Sequence, residues 1–253
     1  RSQTGFVYGL AYILKLKIKT ETRWNMNDTT TEINKDTFWG LIREAKDACG
    51  QDMSAMMEYL KERLVSMGTE QAQNFHDITQ AYEDLACKYG LWDAAEIIME
   101  YGCSNDGFID FRTWLIAQGK EVYLAALADP DSLAEVEPYG DCSFEQMSYV
   151  GEYAYKQLTG KSAYEQTDQR KYKKLVAELK QDITYKDGIQ FPREGAELKQ
   201  FLPRLCAKHP DRWREPHWNL DLKVVRELFY AGKVHDHQQV CKKANRGHGG
   251  EAR

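Results

Sequence analysis

The sequence predicts a mainly α protein: an antiparallel multi-helix bundle with a small C-terminal appendage that contains one β-hairpin. Over residues 33–180, apolar side chains recur at helical spacing between helix-capping residues and glycines. The turns between these segments are short, which favours antiparallel packing of sequence neighbours. Residues 183–191, ITYKDGIQF, place two β-favouring runs around Asp187–Gly188, which is a hairpin signal.

The chain of 253 residues is long enough for one large domain with a smaller appendage. We expect an N-terminal extension over residues 1–32, in which Met26 is a candidate natural start, and a helical core domain over residues 33–180. Residues 181–243 are expected to hold the hairpin and further helices. The glycine-rich tail, residues 244–253, is expected to be disordered.

Three helices are predicted first, each beginning at a residue type that commonly caps helices. The expected starts are Asp36 or Thr37, Asp52 or Ser54, and Thr69. Gly50 and Gly68 are expected to end the first two helices, because glycine readily adopts the backbone conformation found after a helix.

The stretch Leu91–Pro130 is predicted to be the centre of the fold. A helix over Leu91–Tyr101 leads to a corner at residues 104–107, and a second helix is expected from Phe108 to Ala126. Its buried stripe is predicted to comprise Phe108, Phe111, Leu115, Gly119, Val122 and Ala126. Asp110, Thr113, Lys120 and Glu121 are expected to face water, with Arg112 and Trp114 on the flanks. Gly119 in the stripe predicts a close approach by another helix.

Helical spacing continues beyond Pro130. The further helices are expected from Ser143 to Gly160, over Asp168–Leu179, around Glu194–Phe201, from Pro203, over Asn219–Phe229, and after Gly232. The helix over Asp168–Leu179 is highly charged, so it is expected to project from the core.

The segment GCSNDGFIDFRTWLIAQGKEVYLAALADPDSLAE, preceded by LWDAAEII, resembles the signature of a bacterial family, domain of unknown function 4240. The resemblance extends upstream to NKDTFWGLIREAK and downstream to YVGEYAYKQLTG, over roughly residues 34–161. It implies no activity, cofactor or catalytic residue.

The net charge of −5 provides no overall basic field for nucleic acid, so nucleic-acid binding is not expected. The apolar run Phe6–Leu14 is too short to span a bilayer. Six cysteines lack C-x-x-C spacing, and we expect reduced thiols in a cytoplasmic protein. The chain has no Walker A loop, Rossmann glycine fingerprint or G-x-S-x-G elbow, which lowers the prospects of those enzyme classes.

The corner between the two helices of Leu91–Pro130 is the candidate site. The predicted binding residues are Trp92, Asp106, Asp110, Arg112 and Trp114, because Trp and Arg commonly anchor interfaces. This pattern favours a protein-interaction or regulatory module whose partner is another protein. The alternative is a metal-dependent hydrolase that uses Asp106 and Asp110. An EF-hand loop aligned on Gly107 would lack both anchoring carboxylates, so calcium is not predicted.

Two other groups of residues are candidate sites. His217, His235 and His237 with Cys206 and Cys241 have the residue types of a zinc site but not its spacing, so neither a metal nor a cofactor is predicted. A basic stretch with interleaved tyrosines could bind nucleic acid, but its mixed charges favour a solvated helix face. Its members are Arg170, Lys171, Tyr172, Lys173, Lys174, Lys180, Tyr185 and Lys186. Oligomeric state is left open.

Overall fold

The computed structural model describes residues 32–100, 102–137, 142–186, 193 and 195–212, and these residues form eleven α-helices and two short 3₁₀-helices. The first six helices are α1 (Lys35–Cys49), α2 (Met53–Met67), α3 (Thr69–Leu85), α4 (Tyr89–Ile98), α5 (Asn105–Ala117) and α6 (Lys120–Ala128). A 3₁₀-helix, Pro130–Glu135, follows. The remaining helices are α7 (Glu145–Thr159), α8 (Ala163–Gln166), α9 (Gln169–Leu179), α10 (Gly195–Phe201) and α11 (Pro203–Lys208), with a second 3₁₀-helix at Lys180–Asp182. The mainly α prediction is therefore confirmed.

Side-chain caps begin several of these helices at or next to the predicted positions. The Asn34 side chain accepts hydrogen bonds from the backbone N–H groups of Asp36 and Thr37 at the start of α1, and Asp52 caps α2. Ser104 accepts from the N–H of Gly107 at 3.0 Å, and Asp168 caps α9. Each cap satisfies backbone donors that the first helical turn leaves free.

The long helix predicted from Phe108 to Ala126 is wrong, because the chain breaks at Gly119. α5 ends at Ala117 and α6 begins at Lys120, while Gly119 has φ +100° and ψ 169°. That region of backbone space is open essentially to glycine alone. A Cβ atom built at Gly119 would meet no neighbouring atom within 4 Å, so no helix approaches closely there. The glycine is required by the turn and not by packing.

We therefore expect Gly119→Ala and Gly119→Leu to destabilise the protein by similar amounts, roughly 1–3 kcal/mol, because both place a side chain at positive φ. Melting temperatures would test this. Lys120→Ala is the control and should change stability by about 0.5 kcal/mol or less, since the Lys120 ammonium forms an exposed surface pair with the Asp36 carboxylate, at 3.4 Å. A much larger loss for leucine than for alanine would instead indicate that another helix packs closely at Gly119.

The centre of the described fold is the pair α3 and α7, and not the predicted stretch Leu91–Pro130. α3 contacts α1, α2, α5, α7, α8 and α9, and its most extensive contact is with α7. The two helices cross at Gly151, where an added Cβ atom would lie 2.7 Å from the Cα atom of His76. The close helix approach that the sequence placed at Gly119 thus occurs at Gly151.

The expectation that the helix over Asp168–Leu179 projects from the core is also wrong. α9 packs against α3 with one face, and the Tyr172 hydroxyl donates to the carboxylate of Asp84 at 2.9 Å. Leu179 is fully buried, and Leu175 and Val176 are partly buried. Only the opposite face of α9 meets water.

The C-terminal helices in the described range also pack on the body. α11 contacts α4 and the 3₁₀-helix Pro130–Glu135, where the Asp131 carboxylate accepts from the backbone N–H groups of Arg204 and Leu205. Residues 183–186 are in no strand, and the predicted turn and second strand, 187–191, lie outside the described residues. The hairpin, the antiparallel arrangement and the domain boundaries stay predictions, and the helices predicted beyond residue 212 are also outside that range.

Four of the five cysteines in the described residues follow the sequence prediction, and Cys241 lies outside that range. Cys49, Cys103, Cys142 and Cys206 are free and buried. Cys87 is disulfide-bonded, so the expectation of six reduced thiols is wrong at that position. None of the helices in the described part of the chain is both long and apolar enough to cross a membrane.

Candidate functional site

The three large side chains of the predicted corner are in the core. Trp92 is 3% exposed, and Arg112 and Trp114 are each 1% exposed. The Trp92 indole N–H donates to the carbonyl oxygen of Cys103 at 3.1 Å, and its ring stacks on Phe108 with centroids 4.9 Å apart. Trp92 thus links α4 to α5. The three side chains do not contribute to an exposed surface.

The two aspartates of the corner have different environments. Asp106 is exposed in the first turn of α5, where a negative charge is favourable near the helix N-terminus. Asp110 is half-buried, and its carboxylate accepts from the Ser143 hydroxyl at 3.3 Å. Its carbonyl oxygen accepts from the N–H of Phe144 at 3.1 Å. Asp110 therefore anchors the segment that leads into α7.

Arg112 points inward from α5 to α3. Its Nη1 donates to the carbonyl oxygen of Glu83 at 2.9 Å, and its Nη2 lies 3.5 Å from Glu83 Oε1. Its Nε donates to the carbonyl oxygen of Phe108 at 3.2 Å. The guanidinium and the Glu83 carboxylate thus form a buried ion pair, and the pair is a structural link between two helices.

A group of polar side chains continues from this ion pair along the contact between α3 and α7. Glu83 Oε2 lies 3.2 Å from the Ser148 hydroxyl, which donates to it, and Gln80 Nε2 donates to Ser148 Oγ at 3.2 Å. His76 lies one turn before Gln80 on the same side of α3, since positions 76, 80 and 83 share a helix face. We call Gln80, Glu83, Arg112 and Ser148, together with His76, the polar seam.

Burial raises the pKa of Glu83, because the charged form loses water on entering the core. The guanidinium of Arg112 and the hydrogen bond from Ser148 act in the opposite direction. The pKa of Glu83 is raised on balance, so the protonated carboxyl is more favoured in the core than in water. Loss of either partner would therefore make the charged form of this buried carboxyl much less stable.

His76 closes the other end of the polar seam. Its side chain is 1% exposed, and its Nδ1 has no hydrogen-bond partner among the described residues. The imidazole stands edge-on to the Tyr164 ring, with centroids 4.3 Å apart and an interplanar angle of 84°. Burial lowers the pKa of His76 to about 4. The imidazole is therefore neutral in the folded protein near pH 7.

The buried His76 predicts a loss of stability on acidification. The unfolded chain takes up a proton at His76 near its ordinary pKa of 6.5, whereas the folded protein takes it up only near 4. Stability should therefore fall as pH drops through this window, by about 3 kcal/mol when complete. Urea unfolding from pH 7 to pH 4 would measure it. His76→Gln should lose this component, and an unchanged pH profile in that variant would contradict the assignment.

Above the polar seam lies a group of tyrosines at the surface. Tyr153 and Tyr164 are each 44% exposed, and the half-buried Tyr149 pairs with Tyr153 with ring centroids 5.9 Å apart. Burial raises the pKa of the Tyr164 phenol, the negative charge of Glu83 adds to the effect, and a hydrogen bond with Ser148 opposes it. We call Tyr149, Tyr153 and Tyr164 the tyrosine surface.

The exposed side of α9 carries a second surface feature. Arg170, Lys171, Lys173 and Lys174 are all exposed, and none of them forms an ion pair within the described range. We call these four residues the basic face. Two other members of the basic stretch differ, since Lys186 pairs with Asp129 at 2.8 Å and the Tyr185 hydroxyl donates to the carbonyl oxygen of Leu85.

Within the described residues, no group of three or more His, Cys, Asp or Glu side chains is placed to hold a metal ion. Cys206 is buried in α11, and burial raises its pKa to about 11. The other members of the weighed zinc group, His217, His235, His237 and Cys241, lie outside the described residues.

The sequence did not single out the polar seam or the tyrosine surface. One signal was available, because His76, Gln80 and Glu83 recur at helical spacing and place three polar groups on one face of α3. A polar face usually meets water, so the pattern alone does not reveal burial. The partners Ser148 and Arg112 come from distant parts of the chain.

Comparison with known proteins identifies one protein family that part of this chain matches. No curated protein and no solved structure is similar enough to match this chain. Residues 33–157 match the family described as "Protein of unknown function (DUF4240)". The matched range runs from the residue before the cap of α1 into the last turn of α7 and includes the whole polar seam. The chain carries, over residues 33–157, a domain of the DUF4240 family.

Proposed function

We propose that the chain is a protein-interaction module and that it binds its partner through the tyrosine surface. One observation carries this proposal. Within the described residues, the large hydrophobic side chains with an exposed fraction above one third are Tyr153, Leu158 and Tyr164, and all three fall in α7 and α8. Such concentration of exposed aromatic groups is typical of interaction sites.

The chemistry of tyrosine supports this use. The ring supplies apolar area while the hydroxyl group can hydrogen-bond, and few rotatable bonds must be fixed on binding. Tyr149 and Tyr153 already support each other by ring contact, and Tyr164 rests on the buried His76. The surface is thus held in place before a partner arrives, which reduces the entropy lost on association.

This proposal moves the binding surface away from the predicted corner. Trp92, Arg112 and Trp114 have almost no exposed area, so they would reach a partner only if the core opened. Asp106 is exposed and can still take part in binding. The hydrolase alternative requires Asp106 and Asp110 to act on one substrate, yet Asp110 is engaged with Ser143 and the start of α7. The protein-binding function is therefore the better supported.

Site-specific photo-crosslinking in the producing cells would test the proposal. p-Benzoylphenylalanine replaces Tyr153, which is 44% exposed and whose ring contacts Tyr149, so the fold should tolerate it. The same probe at Arg43, an exposed residue of α1, is the matched control. We expect a discrete protein adduct from position 153 that is absent from position 43. Absence of any adduct at 153, or identical adducts at both positions, would refute the proposal.

A further inference from the structure

α9 has two chemically different sides. At about 100° per residue, Tyr172, Leu175, Val176 and Leu179 fall on one side, and these are the residues that pack inward. The basic face occupies the opposite side. The sign of the charge on this face is opposite to the net charge of the chain, which is −5.

The positive charge extends from α9 back to the tyrosine surface. Residues 156–174 contain six basic and two acidic residues, which is a net charge of +4 in a chain of net charge −5. One of the two acids, Asp168, already accepts hydrogen bonds from the backbone N–H groups of Arg170 and Lys171. Tyr164 lies in α8, only a few residues before the basic face begins.

The location of α8 and α9 on α3 makes these groups neighbours. Tyr164 contacts His76, and the Thr167 hydroxyl donates to the carboxylate of Asp77 at 2.7 Å in the next position of α3. α9 then continues along α3 until Tyr172 reaches Asp84. Tyr164 and the basic face are therefore carried by two helices, α8 and α9, that follow one another along α3.

We propose that the tyrosine surface and the basic face together bind an acidic segment of a partner protein that also carries apolar side chains. This proposal rests on the protein-interaction function proposed above and adds the chemistry of the partner. Apolar residues of the segment pack on Tyr153 and Tyr164, and its carboxylates pair with the side chains of the basic face. Complementary charges chiefly increase the association rate and the selectivity for the partner.

An acidic protein segment fits this surface better than a nucleic acid. Single-stranded nucleic acid is usually held by aromatic rings interleaved with basic side chains. In this chain the interleaved rings are turned inward, because the hydroxyl groups of Tyr172 and Tyr185 donate to Asp84 and to the carbonyl oxygen of Leu85.

The test uses the full chain with p-benzoylphenylalanine at position 153, and a second chain with the probe at Lys173. Adducts are digested and the crosslinked peptide is mapped by mass spectrometry. Lys174→Glu is then combined with the probe at 153, and Arg43→Glu serves as the control because each change lowers the net charge from −5 to −7. Excess oligoglutamate of 15 residues is added to lysates as a competitor.

We expect both probe positions to capture the same protein through a segment of net negative charge. Lys174→Glu should lower the adduct yield at 153 roughly fivefold or more, and oligoglutamate should lower it too, while Arg43→Glu leaves it unchanged. A neutral or basic crosslinked segment, a nucleic-acid adduct at 173, or insensitivity to Lys174→Glu would overturn this inference while the proposed function stands. Absence of adducts at both positions would remove both proposals.

Discussion

Gly151→Ala should destabilise the protein by about 1–3 kcal/mol, and Gly151→Leu by more, because side-chain atoms would be forced into a closed helix crossing. The added Cβ atom would lie 2.7 Å from both the Cα and the Cβ of His76. The Cα belongs to the backbone of α3, which cannot rotate aside as a flexible side chain can. α3 and α7 would have to separate along their most extensive contact.

Gly40→Ala is the matched control for this experiment. Gly40 also lies within a helix, α1, but an added Cβ would meet nothing within 4 Å. Alanine has a higher helix propensity than glycine by about 1 kcal/mol, so Gly40→Ala should be neutral or stabilising. Chemical denaturation of the two variants would give the comparison. Equal effects at positions 40 and 151 would show that α3 and α7 are not in close contact at Gly151.

Arg112→Met is expected to cost roughly 3–5 kcal/mol at pH 7, because it leaves the buried carboxylate of Glu83 without its cation. Arg112 is 1% exposed and contacts both the side chain and the carbonyl oxygen of Glu83. Methionine fills part of the space but donates no hydrogen bond. The loss should therefore come mainly from the unpaired charge and the unsatisfied carbonyl oxygen, which urea unfolding would quantify.

The pH dependence of the stability of Arg112→Met would show whether the loss comes from the unpaired charge of Glu83. Burial already raises the pKa of Glu83, and removal of the guanidinium raises it further. Below that pKa the folded variant holds a neutral carboxyl, so the difference in stability from the parent protein should shrink as the pH falls and grow as it rises. Glu83→Gln/Arg112→Met should recover part of the loss at pH 7. A deficit that is constant with pH would point to packing alone.

The helices were predictable because their signals are local. Asp52, Ser104 and Asp168 cap helices through hydrogen bonds to residues two or three positions ahead, and such patterns can be read directly from sequence. Gly50 and Gly160 end helices for the same reason, since both have positive φ. These features depend on neighbours in the chain and not on the tertiary fold.

The two glycines show where local reasoning fails. Gly119 falls on an apolar stripe, and its helical spacing cannot reveal that the backbone turns there with φ +100°. Gly151 has an ordinary backbone conformation, and its importance comes from His76, which is 75 positions earlier. Sequence periodicity assigns both to a buried side of a helix. Only the packing of α7 on α3 distinguishes them.

The burial of three of the five candidate binding residues could not be predicted for a similar reason. Arg112 and the two tryptophans have the residue types of interface anchors, but the same types also fill cores when partners such as Glu83 and Cys103 are available. Glu83 is 29 positions from Arg112. Helical spacing gives the direction of a side chain relative to its own helix, and it does not say whether another helix or water lies in that direction.

The position of α7 in the chain affects how the protein can fold while it is being synthesised. α7 packs against α2, α3 and α5, yet at least 77 residues separate the end of α2 at Met67 from the start of α7 at Glu145. At typical elongation rates of about 5–20 residues per second, the ribosome needs on the order of 4–16 s to make this interval. During that time the faces of α2 and α3 that α7 covers in the folded protein remain without it. A nascent chain halted before residue 145 should therefore be a preferred substrate for chaperones, whereas one released after α7 should resist protease.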